Sequence, residues 1–157
     1  MEKLVYKKEN VYQLEVNDKG EYIEFDLLDI DLPDKITKAY KDLAKEQKNV
    51  NIQEQVIYKK FANNPNKKWE EIHKLEKEYF KKSREIFDSF LGEGACYKIF
   101  GNTDRYGMFE DLLNALQPHL DKMQINVEQI KKNLVASLST LMTEIKYMNP
   151  QFHVPVI

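Results

Sequence analysis

Apolar and polar side chains alternate from Val11 to Val16 (VYQLEV) and again from Glu21 to Phe25 (EYIEF), with Asn17, Asp18, Lys19 and Gly20 between them. A period of two flanking an Asn-Asp-x-Gly turn predicts a β-hairpin. Tyr12, Leu14 and Val16 then share one face. On the second strand, either Tyr22 with Glu24 or Ile23 with Phe25 points the same way. A lone hairpin is marginal in water, so this one must lie on helices or pair with another chain.

Beyond DLLDID the period lengthens. Pro33 suits the first turn of a helix, Asp31 and Asp34 place negative charge near its amino end, and Ile36, Ala39, Tyr40 and Leu43 form its stripe. The pattern leaves open whether residues 34–61 form one helix or two, because Asn49, Val50, Asn51 and Ile52 are weak helix formers. Asn63, Asn64 and Pro65 end it. A second helix is expected from about Asn66 to Leu91, with Trp69, Ile72, Leu75, Tyr79, Phe80, Ser83, Ile86, Phe87, Phe90 and Leu91 on a broad apolar face.

Gly92 and Gly94 bracket Glu93 where that helix should stop, and a short helical turn follows from Ala95 to Phe100. Thr103 or Asp104 is placed to cap a further helix carrying Met108, Phe109, Leu112, Leu113, Leu116, Leu120 and Met123. Pro118 should kink or divide it near Gln117. Asn126, with Gln129 three residues on, then reads as the cap of a last helix ending at Asn149 and Pro150. The predicted fold is mainly α with a minor β part: a helical bundle of about four to five helices with an N-terminal β-hairpin. It reads as a single domain over 1–157, with a hairpin at 11–26, a helical body at 33–148 and an apolar tail at 149–157.

A chain of 157 residues can bury enough surface to fold without a metal or disulfide staple. With 42% hydrophobic and 32% charged residues it has the balance of a globular domain. Its 24 basic residues against 26 acidic give a net charge of −2, which supplies no electrostatic drive toward nucleic acid. Cys96 is the one cysteine, so no internal disulfide is possible. No apolar run approaches the ~20 residues of a membrane span, and MEKLVYKKEN has no signal-peptide core, which points to a cytoplasmic protein with no membrane partner.

Chemistry is sparse. His73, His119 and His153 fall on separate elements, and Glu70 with His73 makes a single Glu-x-x-His where a di-iron bundle uses two. Gly92-x-Gly94 follows a helix, and Tyr97 stands where a dinucleotide loop needs its third glycine. Cys96 has no histidine near it in sequence and reads as a small buried hydrophobe. No catalytic residue, metal ligand or cofactor site is expected, and the chain is read as a non-enzyme. The aromatic cluster reads as core, any exposed part of it being a partner groove. The candidate partner-binding residues are Phe87, Phe90, Tyr97, Phe100, Tyr106 and Phe109, joined by Phe152, Val154 and Val156 of the tail.

The phrase FDSFLGEGACYKIFGNT, preceded by EYIEFDLLD and followed by MFEDLLNALQPHLDKM, resembles a small protein encoded in the tail region of tailed phages and prophages of Gram-positive bacteria. The matching residues are Phe87, Asp88, Phe90, Gly92, Glu93, Gly94, Lys98, Ile99, Phe100 and Gly101, with Leu91 inserted before the first glycine; residues 126–157 depart from the pattern. The resemblance implies a tail assembly chaperone working in the host bacterial cytoplasm during phage assembly. Such a protein keeps the tape measure protein soluble, helps recruit tail-tube subunits and self-associates into a homo-oligomer. The alternatives are a structural tail or connector subunit of the virion, or a helical interaction module for another partner.

Overall fold

A computed structural model describes residues 1–137, with side chains to Gln124. The chain is mainly helical, with an N-terminal two-stranded antiparallel hairpin of β1 (Val11–Glu15) and β2 (Tyr22–Asp26). Four helices follow among the described residues: α1 (Leu32–Lys60), α2 (Pro65–Leu91), α3 (Ala95–Phe100) and α4 (Met108–Ser137). The chain divides into two compact units, Met1–Phe109 and Glu110–Ile157.

The register pairs Tyr12 with Phe25 and Leu14 with Ile23. Directly opposed residues share a face, which decides between the two faces left open by the sequence: Ile23 and Phe25 are buried with Leu27, while Tyr22 and Glu24 face outward. Asn17 holds the turn by accepting hydrogen bonds at Oδ1 from the Lys19 and Glu21 backbone N–H groups at 2.9 and 3.3 Å. Two more such turns follow strand β2. Asp26 Oδ1 accepts from Leu28 N, and Asp29 Oδ1 from Asp31 N, which folds DLLDID into the entry of α1. Lys35 Nζ lies 2.7 Å from Asp29 Oδ2; the hydrogen bond from Lys35 and then the backbone bond from Asp31 lower the Asp29 pKa.

Residues 32–60 are one continuous helix of 29 residues. The weak formers from Asn49 to Ile52 do not break it, because Val50 is buried and packing outweighs a propensity cost of a few tenths of a kcal/mol per residue. Phe61 to Asn64 turn the chain into α2. Phe61 ends the first helix and Asn64 caps the next: its Oδ1 accepts from Lys67 N at 3.2 Å, with Pro65 in the first turn. The pair is an antiparallel α-hairpin, tied by Tyr79 Oη donating to Gln47 Oε1 at 3.0 Å.

Three readings of the later chain are corrected. Thr103 and Asp104 do not cap α4, which starts at Met108; both are instead held as acceptors by Arg84. Pro118 does not divide the helix near Gln117, and Asn126 lies inside it instead of capping a new one. Position 118 and Asn114, whose carbonyl loses its partner, are both exposed, so water can satisfy what the proline removes. In the second unit Leu112, Leu116 and Met123 are buried at helical spacing. The expected end of the last helix and the tail 149–157 lie outside the described residues.

Ser83, on α2, is fully buried, and its Oγ has no hydrogen-bond partner among the described residues. Burying a hydroxyl without a partner costs about 1–3 kcal/mol. Ser83→Ala is therefore expected to stabilise the protein, by about 1 kcal/mol after the small loss of contact; a higher urea midpoint with an unchanged slope would register it.

Candidate partner-binding surface

The joint after α2 depends on backbone freedom at two positions. Gly92 and Gly94 have φ of +113° and +75°, which side chains with a Cβ rarely adopt, so helix α2 can stop and α3 start within four residues. Gly94 cannot cap α3 with a side chain. Asp88, one turn before the end of α2, does so instead: its Oδ1 accepts from Cys96 N at 2.8 Å. The hairpin turn docks on the other end of α3, where Asn17 Nδ2 donates to Lys98 O at 3.0 Å.

Arg84 closes the far side. Its Nε donates to Asp104 Oδ1 at 2.8 Å, Nη1 to Gly101 O at 2.9 Å and Nη2 to Thr103 O at 3.2 Å, and its guanidinium sits 5.9 Å from the Phe100 ring. One planar fork thus fixes the whole turn after α3. Next to it the aromatic side chains meet. Phe109 stacks on Phe87 with centroids 5.2 Å apart and planes at 9°, and also contacts Phe80, Tyr79 and Phe100.

Burial sorts the candidate residues. Phe87, Phe90 and Phe109 are buried, so they form the core of the joint and present no surface. Phe100 is partly buried. Tyr97 and Tyr106 are exposed, at 60% and 81%. Tyr106 donates to Glu76 Oε2, and that hydrogen bond raises its pKa. Phe152, Val154 and Val156 lie outside the described residues.

Among the described residues, further apolar side chains of α1 and α2 are exposed, and the sequence reading assigned one of them to the core. Trp69 was expected on the buried stripe of α2 but is 60% exposed. It flanks Lys68, whose Nζ lies 5.3 Å from the Trp69 ring and 5.7 Å from that of Tyr58. Val50 and Ile57 of α1, with Phe61 just past its end, fall on one face at helical spacing and are buried or partly buried. Ile52 and Val56, four residues apart on the opposite face, are exposed. The signal was in the sequence: from Val50 to Phe61 there are more apolar positions than one stripe can hold.

Glu70 pairs with Lys67 and Lys74, at 3.8 and 3.5 Å, and His73 is exposed. Among the described residues no group of three or more His, Cys, Asp or Glu side chains could hold a metal ion. No helix among them is long and apolar enough to cross a membrane.

Cys96 is buried, and burial first, then the neighbouring Asp88 carboxylate, push its thiol pKa up to about 12. A folded-state pKa raised above the ordinary 9.0 favours the neutral thiol. The resulting stability is fully present below pH 9, where the unfolded thiol begins to ionise, and is lost as pH rises toward 12. A thiol reagent at pH 8 should leave Cys96 unmodified in the folded protein and label it in denaturant. Rapid labelling of the folded chain would contradict this burial.

In comparison with known proteins, residues 19–139 match the model of a family of unknown function (DUF6673). No curated protein and no solved structure matches the chain.

Proposed function

The chain belongs to the family of unknown function DUF6673, and we propose that it is a non-enzymatic binding protein, a phage tail assembly chaperone for the tape measure protein. The observation that carries the binding part is the second apolar stripe of α1, Ile52 with Val56, together with the exposed Trp69 of α2. Apolar side chains at i and i+4 are the anchors used when one helix lies along another. A tape measure chain, long and helical with apolar stripes of its own, is a client of matching chemistry. The phage assignment rests on the resemblance of the glycine-joint phrase; so do recruitment of tail-tube subunits and action in the host cytoplasm.

Co-expression tests it. The tape measure protein is expected to stay soluble and to co-purify with the wild-type chain. Val56→Asp combined with Trp69→Asp, both at exposed sites and so compatible with folding, should abolish the complex. No gain in solubility with the wild-type chain overturns the chaperone reading. The hairpin, whose edges bear no further strand among the described residues, favours a second reading as a structural tail subunit. Mass spectrometry of purified virions distinguishes them, since a structural subunit appears in ring-like copy number and a chaperone does not.

A further inference from the structure

The ladder between β1 and β2 uses the backbone groups of alternate residues. Leu27 N donates to Asn10 O at one end and Val16 N to Glu21 O at the other, so in this register Phe25 and Ile23 turn their N–H and C=O groups toward β1. Tyr22 and Glu24 therefore turn theirs the other way, along the outer edge of β2. That edge is open to solvent along a shallow groove. The groove, of about 590 Å³, is lined by β2 residues together with Gly92 and Glu93 of the joint and Lys98 of α3. Lys98 Nζ approaches Tyr22 O at 3.4 Å, so one outward carbonyl of the edge already receives a donor. An added Cβ at Gly92 would meet no atom within 4 Å, so the groove leaves room for another backbone.

The amino-terminal arm has the complementary properties. Residues 1–9 belong to no helix or strand, and Leu4, Val5 and Tyr6 are exposed at 100%, 60% and 87%. Lys3 to Lys8 (KLVYKK) is a β-prone apolar triplet between three lysines, with no acidic residue. The groove has the opposite sign: Glu21, Glu24 and Glu93 against Lys98 alone, three negative charges to one positive. Lengths also agree, since β2 has five residues, ~17 Å of strand, and Lys3 to Lys7 spans the same distance.

We propose that this groove receives the arm of a second copy of the chain as a third strand beside β2. Leu4 and Tyr6, two residues apart, lie on one face of the added strand, and Lys3, Val5 and Lys7 on the other. Backbone hydrogen bonds to the outward groups of Tyr22 and Glu24 give affinity, and the lysines beside the three glutamates set register. Each copy offers one arm and one groove, so the contact either closes reciprocally in a dimer or propagates along a row of copies. The inference rests on the self-association that the resemblance implies and not on the client.

The test uses the full chain. Sedimentation of the wild-type protein should show reversible self-association. Glu24→Pro removes an outward N–H while leaving the ladder to β1 intact, and should weaken association about tenfold or more, the value of one backbone hydrogen bond with its buried partner. Leu4→Asp with Tyr6→Asp, in a segment outside every helix and strand, should do the same without any effect on folding. Mixing Tyr6→Cys with Glu93→Cys under mild oxidation should give a disulfide-linked heterodimer. A wild-type chain that stays monomeric at every concentration overturns the proposal. So does association insensitive to the arm variant. An intramolecular disulfide in dilute Tyr6→Cys/Glu93→Cys double variant shows that the arm fills its own groove, and also overturns it. Client co-purification is scored separately on Val56 and Trp69, so failure of one proposal leaves the other standing.

Discussion

Phe87→Ala is expected to destabilise the folded chain by about 3–5 kcal/mol, enough to remove a large part of the stability of a typical domain. Phe87 has no exposed surface, stacks on Phe109 and tilts against Phe90 at 5.8 Å. Truncation would leave a ring-sized void beside helices held apart by their own backbones, and such sites collapse poorly. The consequence reaches beyond α2, because Phe109 loses the ring it stacks on. Chemical unfolding followed by far-UV circular dichroism would measure the effect. A loss below about 1 kcal/mol, the size expected of a surface position, would show that Phe87 is not at the centre of the core.

Arg84→Ala is the second. Its bond to Asp104 contributes least, because the Asp104 side chain is 39% exposed and exposed ion pairs give about 0–1 kcal/mol. The bonds to Gly101 O and Thr103 O matter more. They come from a charged donor whose side chain is only 19% exposed, and they tie α2 to the turn after α3. A loss of about 2–3 kcal/mol is expected. Arg84→Lys should recover less than half of it, since one ammonium cannot serve three acceptors spread across a planar fork. Full rescue by lysine would mean that charge alone, and not geometry, holds the turn. Hydrogen exchange of the amides at 101–107 would give an independent reading, with faster exchange in both variants.

The two predictions concern neighbouring residues on one helix, yet only one was visible before the fold. Phe87 lies on an apolar stripe with Ile72, Phe80 and Phe90, and helical spacing places it inward. Arg84 lies on the same helix among charged residues and reads as solvated; its three acceptors are 17 to 20 residues later, in a loop whose path no local pattern gives. The same distinction runs through the candidate surface. Tyr97 and Tyr106 were grouped with Phe87 and Phe109 because all are aromatic and close in sequence. Composition cannot tell which ring of a cluster ends on the outside. Trp69 failed in the opposite direction: it continues the stripe of α2 in register, but that end of the stripe is left exposed.

What the sequence by itself determined is whatever depends on neighbours a few residues apart: the period of two in the hairpin, the period of 3.6 in the helices, the Asn-Pro stop and the paired glycines at the joint. These are local because backbone sterics and side-chain direction repeat over one or two turns. Tertiary structure decided what depends on distant partners: which face of β2 is buried, that the stretch 32–60 stays one helix, that Asp88 caps α3, and that Ile52, Val56 and Trp69 remain outside. A helix can carry two apolar stripes or none, but only the elements packed against it settle which stripe meets water.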